Sequence, residues 1–155
     1  MKKLVILSAS LVAIAACSDS PTRAPTAQEL AGAYVLSGPS ASYLTQKKGY
    51  SALPRVEIDV ATENSVKVRN MPDAYVDGFG RGSGRFLSGA GHWNVEALDR
   101  NGYGLTLLIE GDGTMAPGVY HGSSIAIRGR RAPYRLEVQL GDPDNNESIT
   151  FERAS

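Results

Sequence analysis

The sequence predicts an all-β protein, an eight-stranded antiparallel meander barrel of the lipocalin-like kind, and three observations support this fold class. After residue 33, apolar and polar residues alternate over much of the chain, which places successive side chains on opposite faces of a sheet. Seventeen glycines and eight prolines indicate many turns. Most predicted links between strands are short, which favours antiparallel neighbours and allows the sheet to close without free edges.

The alternation defines the strands in chain order. It is clearest in residues 56–60 and 66–68, where every second residue is valine or isoleucine, and Glu63-Asn64 predicts a hairpin turn between them. A second hairpin is predicted at Asn101-Gly102, because this pair tolerates the positive φ that tight hairpin turns require. The eight predicted strands cover residues 33–37, 55–60, 65–70, 90–98, 103–110, 123–129, 133–140 and 147–153.

A two-sheet β-sandwich is the alternative architecture, because it uses the same alternation of apolar and polar residues. An eight-stranded barrel is either filled by its side chains or just wide enough to hold one small ligand. A cavity lined by Trp93, Leu105 and Leu136 would favour ligand binding, whereas extended apolar surface outside the core would favour contact with another protein. We expect no membrane-spanning barrel, because the strands carry charges on the face that lipid would contact.

Two connections are too long for simple hairpins, residues 38–53 and residues 71–89, and we expect loops at the ends of the barrel. The second connection is rich in glycine, but a phosphate-binding loop is not expected because Gly84 is followed by Arg85-Phe86 and not by Lys-Ser or Lys-Thr. We expect a flexible loop that crosses the barrel mouth. Arg81 and Arg85 leave an acidic ligand or a glycan as the alternative for this loop.

The N-terminus has the pattern of an export signal. Lys2 and Lys3 precede an uncharged run over residues 4–16, which is too short to span a bilayer because a spanning helix needs roughly 20 apolar residues. The run leads into Ile14-Ala15-Ala16-Cys17, which resembles the signal of bacterial lipoproteins. The resemblance implies cleavage before Cys17 and attachment to a membrane through acyl chains on this residue. An ordinary secretory signal is the alternative, but Cys17 is the only cysteine and has no partner for a disulfide.

These features divide the chain into a signal peptide over residues 1–16, a lipidated flexible tether over residues 17–29 and a single β-barrel domain over residues 30–155. The tether is expected because its first residues offer little apolar surface to bury. Within it, Thr26 and Glu29 have the spacing of a capping box, which predicts one helical turn over residues 27–31. Ser18 stands where an aspartate would resemble the inner-membrane retention signal, so we expect an outer-membrane anchor with the domain in the periplasm.

Charge and residue types argue against several functions. Removal of Lys2 and Lys3 lowers the 16 basic residues to 14, against 16 acidic residues with both signs interspersed, so we expect no nucleic-acid partner. His92 and His121 are the two histidines, the first on a solvent-facing strand position and the second in a loop, without zinc-site spacing. No serine lies in a Gly-x-Ser-x-Gly motif. We therefore expect no enzyme, no catalytic residues, no metal and no cofactor.

Two charged clusters are expected to be ordinary surface. Asp142, Asp144, Asn146 and Glu147 alternate as calcium ligands do, but the segment lacks the glycine, the final glutamate and the flanking helices of an EF-hand, so a hairpin turn is predicted. Residues 128–131 contain three arginines, Arg128, Arg130 and Arg131, around a turn before Pro133. We expect this cluster to be solvated and not to form an anion site.

The C-terminal third carries Pro133-Tyr134, then Gly141-Asp142-Pro143-Asp144, then Phe151-Glu152, and Gly91-His92-Trp93 lies upstream. Together these motifs resemble a family of small bacterial lipoproteins with a Gly-x-Trp and Pro-Pro-Tyr, Gly-Asp-Pro-Asp, Phe-Glu signature. Ala132 departs from the first proline of that signature. The resemblance implies a shared barrel and gives no catalytic position.

We therefore expect a membrane-anchored lipoprotein of the cell envelope that is a non-enzymatic binding module, with a small ligand or an envelope protein as its partner. The first alternative is an inhibitor-like or structural envelope protein that acts by protein-protein contact. The second is a carboxylate-based hydrolase acting on envelope glycans, which would require two facing carboxylates in a cleft.

Overall fold

The computed structural model describes residues 19–98, 102–111 and 113–155. The predicted signal peptide, Cys17 and the first residues of the predicted turn at Asn101-Gly102 lie outside the described residues. Two α-helices and nine strands are described, in this order: α1 Ala27–Leu30, β1 Gly32–Leu36, α2 Gly38–Lys47, β2 Glu57–Val60, β3 Ser65–Pro72, β4 Phe86–Leu98, β5 Gly102–Ile109, β6 Gly118–Tyr120, β7 Ile125–Arg128, β8 Arg135–Gln139 and β9 Ser148–Arg153.

Eight of these strands close into an antiparallel barrel. Its ring order is β1-β2-β3-β4-β5-β7-β8-β9, and the pairing of β1 with β9 returns the sheet to its start. β6 is an additional short strand that pairs with the second half of β5, while β7 joins β5 through Gly104 and Ala126. The closed ring confirms the predicted barrel and rules out the alternative sandwich.

The interior of the barrel is filled by side chains. Leu105, Leu136 and Phe151 have no accessible surface, so no water-sized space touches them. Trp93 is 5% exposed and packs in the same apolar cluster, and its indole N–H donates to the Ala61 carbonyl at 2.9 Å. The residues proposed as the lining of a ligand cavity are therefore core residues.

The antiparallel order sends the connections alternately to the two ends of the barrel. The turn end carries the β2–β3 turn, the β7–β8 turn and α1. The loop end carries the four longer connections, residues 37–56, 73–85, 110–124 and 140–147. The two ends of the barrel therefore differ in the length and in the residue types of the connections that they carry.

The long connection predicted over residues 38–53 contains α2, which the sequence analysis missed. The Ser37 side chain accepts from the Ser40 N–H and caps the helix, and Pro39 lies in its first turn. Only Ser40 and Leu44 of this helix are buried, so it has no apolar stripe that a periodicity analysis could detect. The helix is fixed by contacts at the loop end, including the bond from the Thr150 N–H to the Ser40 hydroxyl at 2.8 Å.

β4 begins at Phe86, earlier than the predicted start at residue 90. The prediction missed its first residues because glycines replace apolar residues on the inward face of the strand. A Cβ atom at Gly91 would lie 1.9 Å from the Leu108 carbonyl oxygen, and one at Gly89 would lie 2.9 Å from Ile109. The close approach of β5 thus requires glycine at these positions. Their lack of side chains hides the alternation that identifies a strand in sequence.

The predicted tether, residues 17–29, is held on the barrel from Asp19 onward. Ser20, Pro21 and Pro25 are buried, and the Gly129 N–H donates to the Asp19 carbonyl at 2.9 Å. The predicted helical turn is confirmed as α1, with both capping-box bonds between Thr26 and Glu29 present. Within the described part of the chain, no helix is long and apolar enough to cross a bilayer.

Replacement of matched leucines on β5 tests the inward and outward faces. Leu105 has no accessible surface, whereas Leu108 is 47% exposed. We expect Leu105→Ala to lower the free energy of unfolding by about 2–5 kcal/mol, because it opens a cavity in a packed core. We expect Leu108→Ala to change it by less than about 0.5 kcal/mol. Urea denaturation of both variants measures the difference, and equal losses would contradict the assigned faces.

Candidate functional site

The connection between β3 and β4, residues 73–85, crosses the loop end of the barrel, and we call it the Phe79 loop. Gly80 lies against the backbone of Leu140 and Gly141 at the end of β8, where a Cβ atom on Gly80 would come within 2.7 Å of the Leu140 oxygen. β8 is four strands from β3 in either direction around the ring. The loop therefore reaches the opposite wall, which confirms that it crosses the barrel mouth.

Asp73 fixes the base of the Phe79 loop. Its carboxylate accepts hydrogen bonds from the Tyr50 hydroxyl at 2.7 Å, the Ser83 hydroxyl at 2.6 Å and the Ser83 N–H at 3.0 Å. The Arg85 Nε lies 3.5 Å from the same carboxylate. Burial alone would raise the pKa of Asp73, but the bonds from Ser83 and Tyr50 outweigh it and the pKa is lowered. Asp73 is thus an ionised anchor that joins both halves of the loop.

Asp77 fixes the tip of the loop. Its side chain accepts from the backbone N–H groups of Arg81 at 2.8 Å, Gly82 at 3.2 Å and Phe79 at 3.3 Å. These backbone bonds, that of Arg81 first, lower the pKa of Asp77. A carboxylate that accepts three N–H groups within four residues imposes a turn on the chain. The backbone around Phe79 is therefore set by local bonds and does not depend on burial of Phe79.

The tip exposes apolar surface. Phe79 is 67% exposed and Val76 is 44% exposed, and the Arg81 guanidinium carbon lies 4.6 Å from the centre of the Phe79 ring. An arginine at this distance over an aromatic face is attracted by the π-electrons and limits the motion of both side chains. The loop thus presents an aromatic ring with a cation beside it.

A hollow of about 360 Å³ lies beside the tip. It is lined by Asp73, Val76, Asp77, Gly82, Ser83, Arg85 and Leu87. Arg85 is the accessible cation of this lining, with its side chain 78% exposed. The hollow is large enough for a side chain of another protein, and its carboxylates already accept bonds from the loop itself.

The two carboxylates in this hollow do not resemble the acid and base of a glycan hydrolase. A general acid needs a raised pKa to be protonated at neutral pH, whereas the pKa values of Asp73 and Asp77 are both lowered. Both groups also hold the loop through hydrogen bonds. Their chemistry favours a structural role in shaping the loop.

The two histidines lie on the surface of the protein. His92 points outward on β4, and its Nε2 lies 3.1 Å from Glu110 Oε1, which confirms its predicted solvent-facing position. His121 is exposed beside Gly122. In the segments that the structure describes, no group of three or more His, Cys, Asp or Glu side chains could hold a metal ion.

The calcium-like segment is a turn, as predicted. The Asp142 side chain accepts from the Asp144 N–H at 3.0 Å, and Asn146 adopts a left-handed conformation with φ of 52°. Glu147 binds the Lys48 ammonium at 2.6 Å and the Tyr43 hydroxyl at 2.9 Å, and these bonds lower its pKa. Glu147 thus attaches the segment after α2 to the start of β9.

A second apolar surface lies on the barrel wall. Leu108 on β5 and Val119 on β6 are cross-strand neighbours, and they are 47% and 53% exposed. His92 on β4 is the partner of Leu108 on its other side. This row lies on paired strands of the barrel wall, whereas Phe79 lies on a connection at the loop end.

Sequence analysis did not identify Phe79, Val76, Tyr50 or Asp73 as functional candidates. The signal that could have drawn attention to Phe79 is a single aromatic residue among the glycines of a long connection. Its exposure, however, depends on the bonds of Asp77 and on the contact of Gly80 with β8. The Asp77 bonds are local and the Gly80 contact is tertiary, and neither is visible as a pattern of residues in the sequence.

Matched tyrosine variants test the anchor of the loop. Tyr50→Phe removes the donor to Asp73 and the acceptor of the Ala74 N–H, so we expect a loss of about 1.5–3 kcal/mol in the free energy of unfolding. Tyr75→Phe is the control, because the buried Tyr75 hydroxyl has no hydrogen-bond partner among the described residues. We expect this control to be neutral or stabilising. Chemical denaturation measures both, and equal destabilisation would contradict the role of Asp73.

Comparisons with known proteins do not assign the chain to a family. No protein-family model, curated protein or solved structure matches it. The function is therefore inferred from the residues of the Phe79 loop, from the filled interior and from the N-terminal sequence.

Proposed function

We propose that the chain is a lipid-anchored envelope protein that binds a protein partner through the Phe79 loop. The observation that carries this proposal is an aromatic side chain, 67% exposed, on a loop whose backbone is fixed by two carboxylates. Contact of Phe79 and Val76 with a partner would be favourable, because it would remove their apolar surface from water. The proposed activity is binding, without catalysis.

A protein partner fits these features better than a small ligand held in the barrel. The interior is filled by residues such as Leu105 and Phe151, which leave no space for a ligand around them. Aromatic and arginine side chains account for much of the binding energy in protein interfaces. A loop that is already ordered loses less conformational entropy on binding, which favours affinity.

The charges at the tip indicate the chemistry of the partner. Arg81 lies over Phe79, and Arg85 extends from the rim of the adjacent hollow with its side chain 78% exposed. A complementary surface would offer an apolar pocket for Phe79 and acidic groups for the two arginines. An inhibitor-like protein that blocks another protein with this loop is one form of the same proposal.

The proposed anchor is Cys17, at the end of Ile14-Ala15-Ala16-Cys17. Two or more acyl chains on one residue would give stable attachment where a single chain gives marginal binding. An outer-membrane location with the barrel in the periplasm follows from the signal sequence and from Ser18. The lipid keeps the barrel at the membrane, and the loop provides the contact with the partner.

Mass spectrometry of the protein purified from its own membranes tests the anchor. We expect the mature chain to begin at Cys17 and to carry a diacylglyceryl group on the thiol. Cys17→Ser is the control, and we expect this variant to lack the acyl mass. An unmodified mature N-terminus at any other residue would overturn the proposed anchor.

Photo-crosslinking in the source cells tests the binding loop. We place a photoreactive phenylalanine analogue at Val76, beside the tip, and expect one adduct of discrete mass that Phe79→Ala reduces at least about tenfold. Phe79→Ala should fold normally because the ring is exposed. The control carries the same analogue at Gln46, an exposed residue of α2 at the same end of the barrel.

An adduct at position 76 that persists in Phe79→Ala would contradict the role of Phe79. Equal adducts from positions 76 and 46 would show proximity without a specific surface and would also contradict the proposal.

A further inference from the structure

We infer that the turn end of the barrel lies against the membrane, with Arg130 and Arg131 at the level of the anionic lipid headgroups, so that the Phe79 loop points away from the bilayer. This inference rests on the Cys17 anchor of the proposed function. It adds a membrane-contact surface and an orientation, neither of which the anchor alone implies. A free tether would leave the barrel able to turn in any direction.

The chain is already fixed to the turn end at Asp19. The Gly129 N–H donates to the Asp19 carbonyl at 2.9 Å, and the Asp19 carboxylate pairs with the Arg135 guanidinium. The next residue, Ser20, is 9% exposed and accepts from Arg128 at 3.4 Å. These contacts attach the N-terminal segment to the β7–β8 turn through both backbone and side chain.

The covalent distance to the anchor is therefore short. One residue, Ser18, separates Cys17 from Asp19, and two consecutive Cα–Cα steps span at most about 7.6 Å. The headgroup layer on each side of a bilayer is roughly 5–8 Å thick, from the difference between total and hydrocarbon thickness. Acyl chains on Cys17 would thus bring the β7–β8 turn to the depth of the headgroups.

The β7–β8 turn carries charges suited to that position. Arg130 and Arg131 are exposed and directly follow Gly129, the residue bonded to Asp19. The neighbouring Arg128 and Arg135 pair with Glu137 and Asp19, respectively. Guanidinium groups bind phosphate oxygens through paired hydrogen bonds, so Arg130 and Arg131 fit the phosphates of phospholipid headgroups.

The two acidic residues of the described N-terminal segment are already paired with arginines. Glu29 is paired with Arg23 at 2.5 Å, and Asp19 is paired with Arg135. Glu63 lies in the turn between β2 and β3, whereas the N-terminal segment is held at the turn between β7 and β8. The carboxylates described beside the β7–β8 turn, Asp19 and Glu137, are therefore paired with arginines, whereas Arg130 and Arg131 are exposed.

The same orientation places the Phe79 loop at the far end. β3 runs from Ser65 at the turn end to Pro72 at the loop end. Eight residues at about 3.3 Å each, inclined at about 40° in a barrel, span roughly 20 Å. Phe79 would thus be presented to a partner in the aqueous compartment and kept away from the lipid that its exposed ring could otherwise enter.

Fluorescence quenching of the mature lipidated protein in vesicles tests the orientation. Acylation of Cys17 leaves an introduced cysteine as the single reactive thiol, so Ala132→Cys labels the turn end and Gln46→Cys labels the loop end. The vesicles contain phosphatidylcholine, phosphatidylglycerol and a lipid with a nitroxide on its headgroup. We expect at least threefold stronger quenching at position 132 than at position 46. Equal quenching, or stronger quenching at position 46, would overturn the inference.

The arginines are tested by Arg130→Gln together with Arg131→Gln in the Ala132→Cys background. We expect phosphatidylglycerol to increase quenching of the parent and to have at least twofold less effect on the double variant. A matched double variant of exposed loop-end cations outside the Phe79 loop, Lys47→Gln with Arg55→Gln, should respond as the parent does. Equal responses of the two double variants would overturn the role of Arg130 and Arg131.

The acyl mass and flotation with vesicles are measured on the same samples. Protein that is acylated and floats, but shows equal quenching at the two ends, would overturn the orientation and leave the anchor intact. Protein without acyl groups would overturn the anchor and this inference together. The Phe79 crosslinking result is independent of both.

Discussion

The pairing of β1 with β9 is the constraint on which the rest of the structure depends. Tyr34, Val35 and Leu36 lie opposite the last residues of the final strand, and Leu36 faces Phe151. This ladder joins the two ends of the strand sequence, so that the eight barrel strands have neighbours on both sides. Closure then gives each strand an inner and an outer face, and Phe151 with no accessible surface shows how tightly the inner face is packed.

Closure also separates two ends with different chemistry. In an antiparallel meander, successive connections alternate between the ends, so a long connection after every second strand collects at one side. The loop end thereby gathers α2, the Phe79 loop and the turn that contains Asp142, while the turn end holds α1 and the N-terminal segment. The proposed membrane attachment and the proposed partner contact would then lie at opposite ends of one small domain.

The Phe79 loop shows how a small barrel can hold an exposed aromatic residue in a defined position. Asp73 ties the loop to Tyr50 in the connection between β1 and β2, Asp77 shapes the tip, and Gly80 meets the end of β8 across the opening. Both carboxylates hold the loop most strongly when they are ionised, because the charged form is the stronger acceptor of N–H and O–H hydrogen bonds. The loop thus obtains its order from polar contacts, which leaves the apolar side chain available for another surface.

The sequence by itself determined most of the strands and their faces, because side-chain alternation is a local property of an extended chain. Residues 56–60 and 66–68 form the predicted hairpin, and Glu147 lies in a turn segment as expected. The tertiary structure alone decided which distant groups meet: that β1 pairs with β9, that α2 forms on contacts with β9, and that Asp19 is fixed to Gly129. It also decided that Phe79 is exposed, since the contact of Gly80 with the end of β8 carries the loop across the mouth of the barrel. Contacts between residues far apart in the chain arise from closure and packing, and no local residue pattern encodes them.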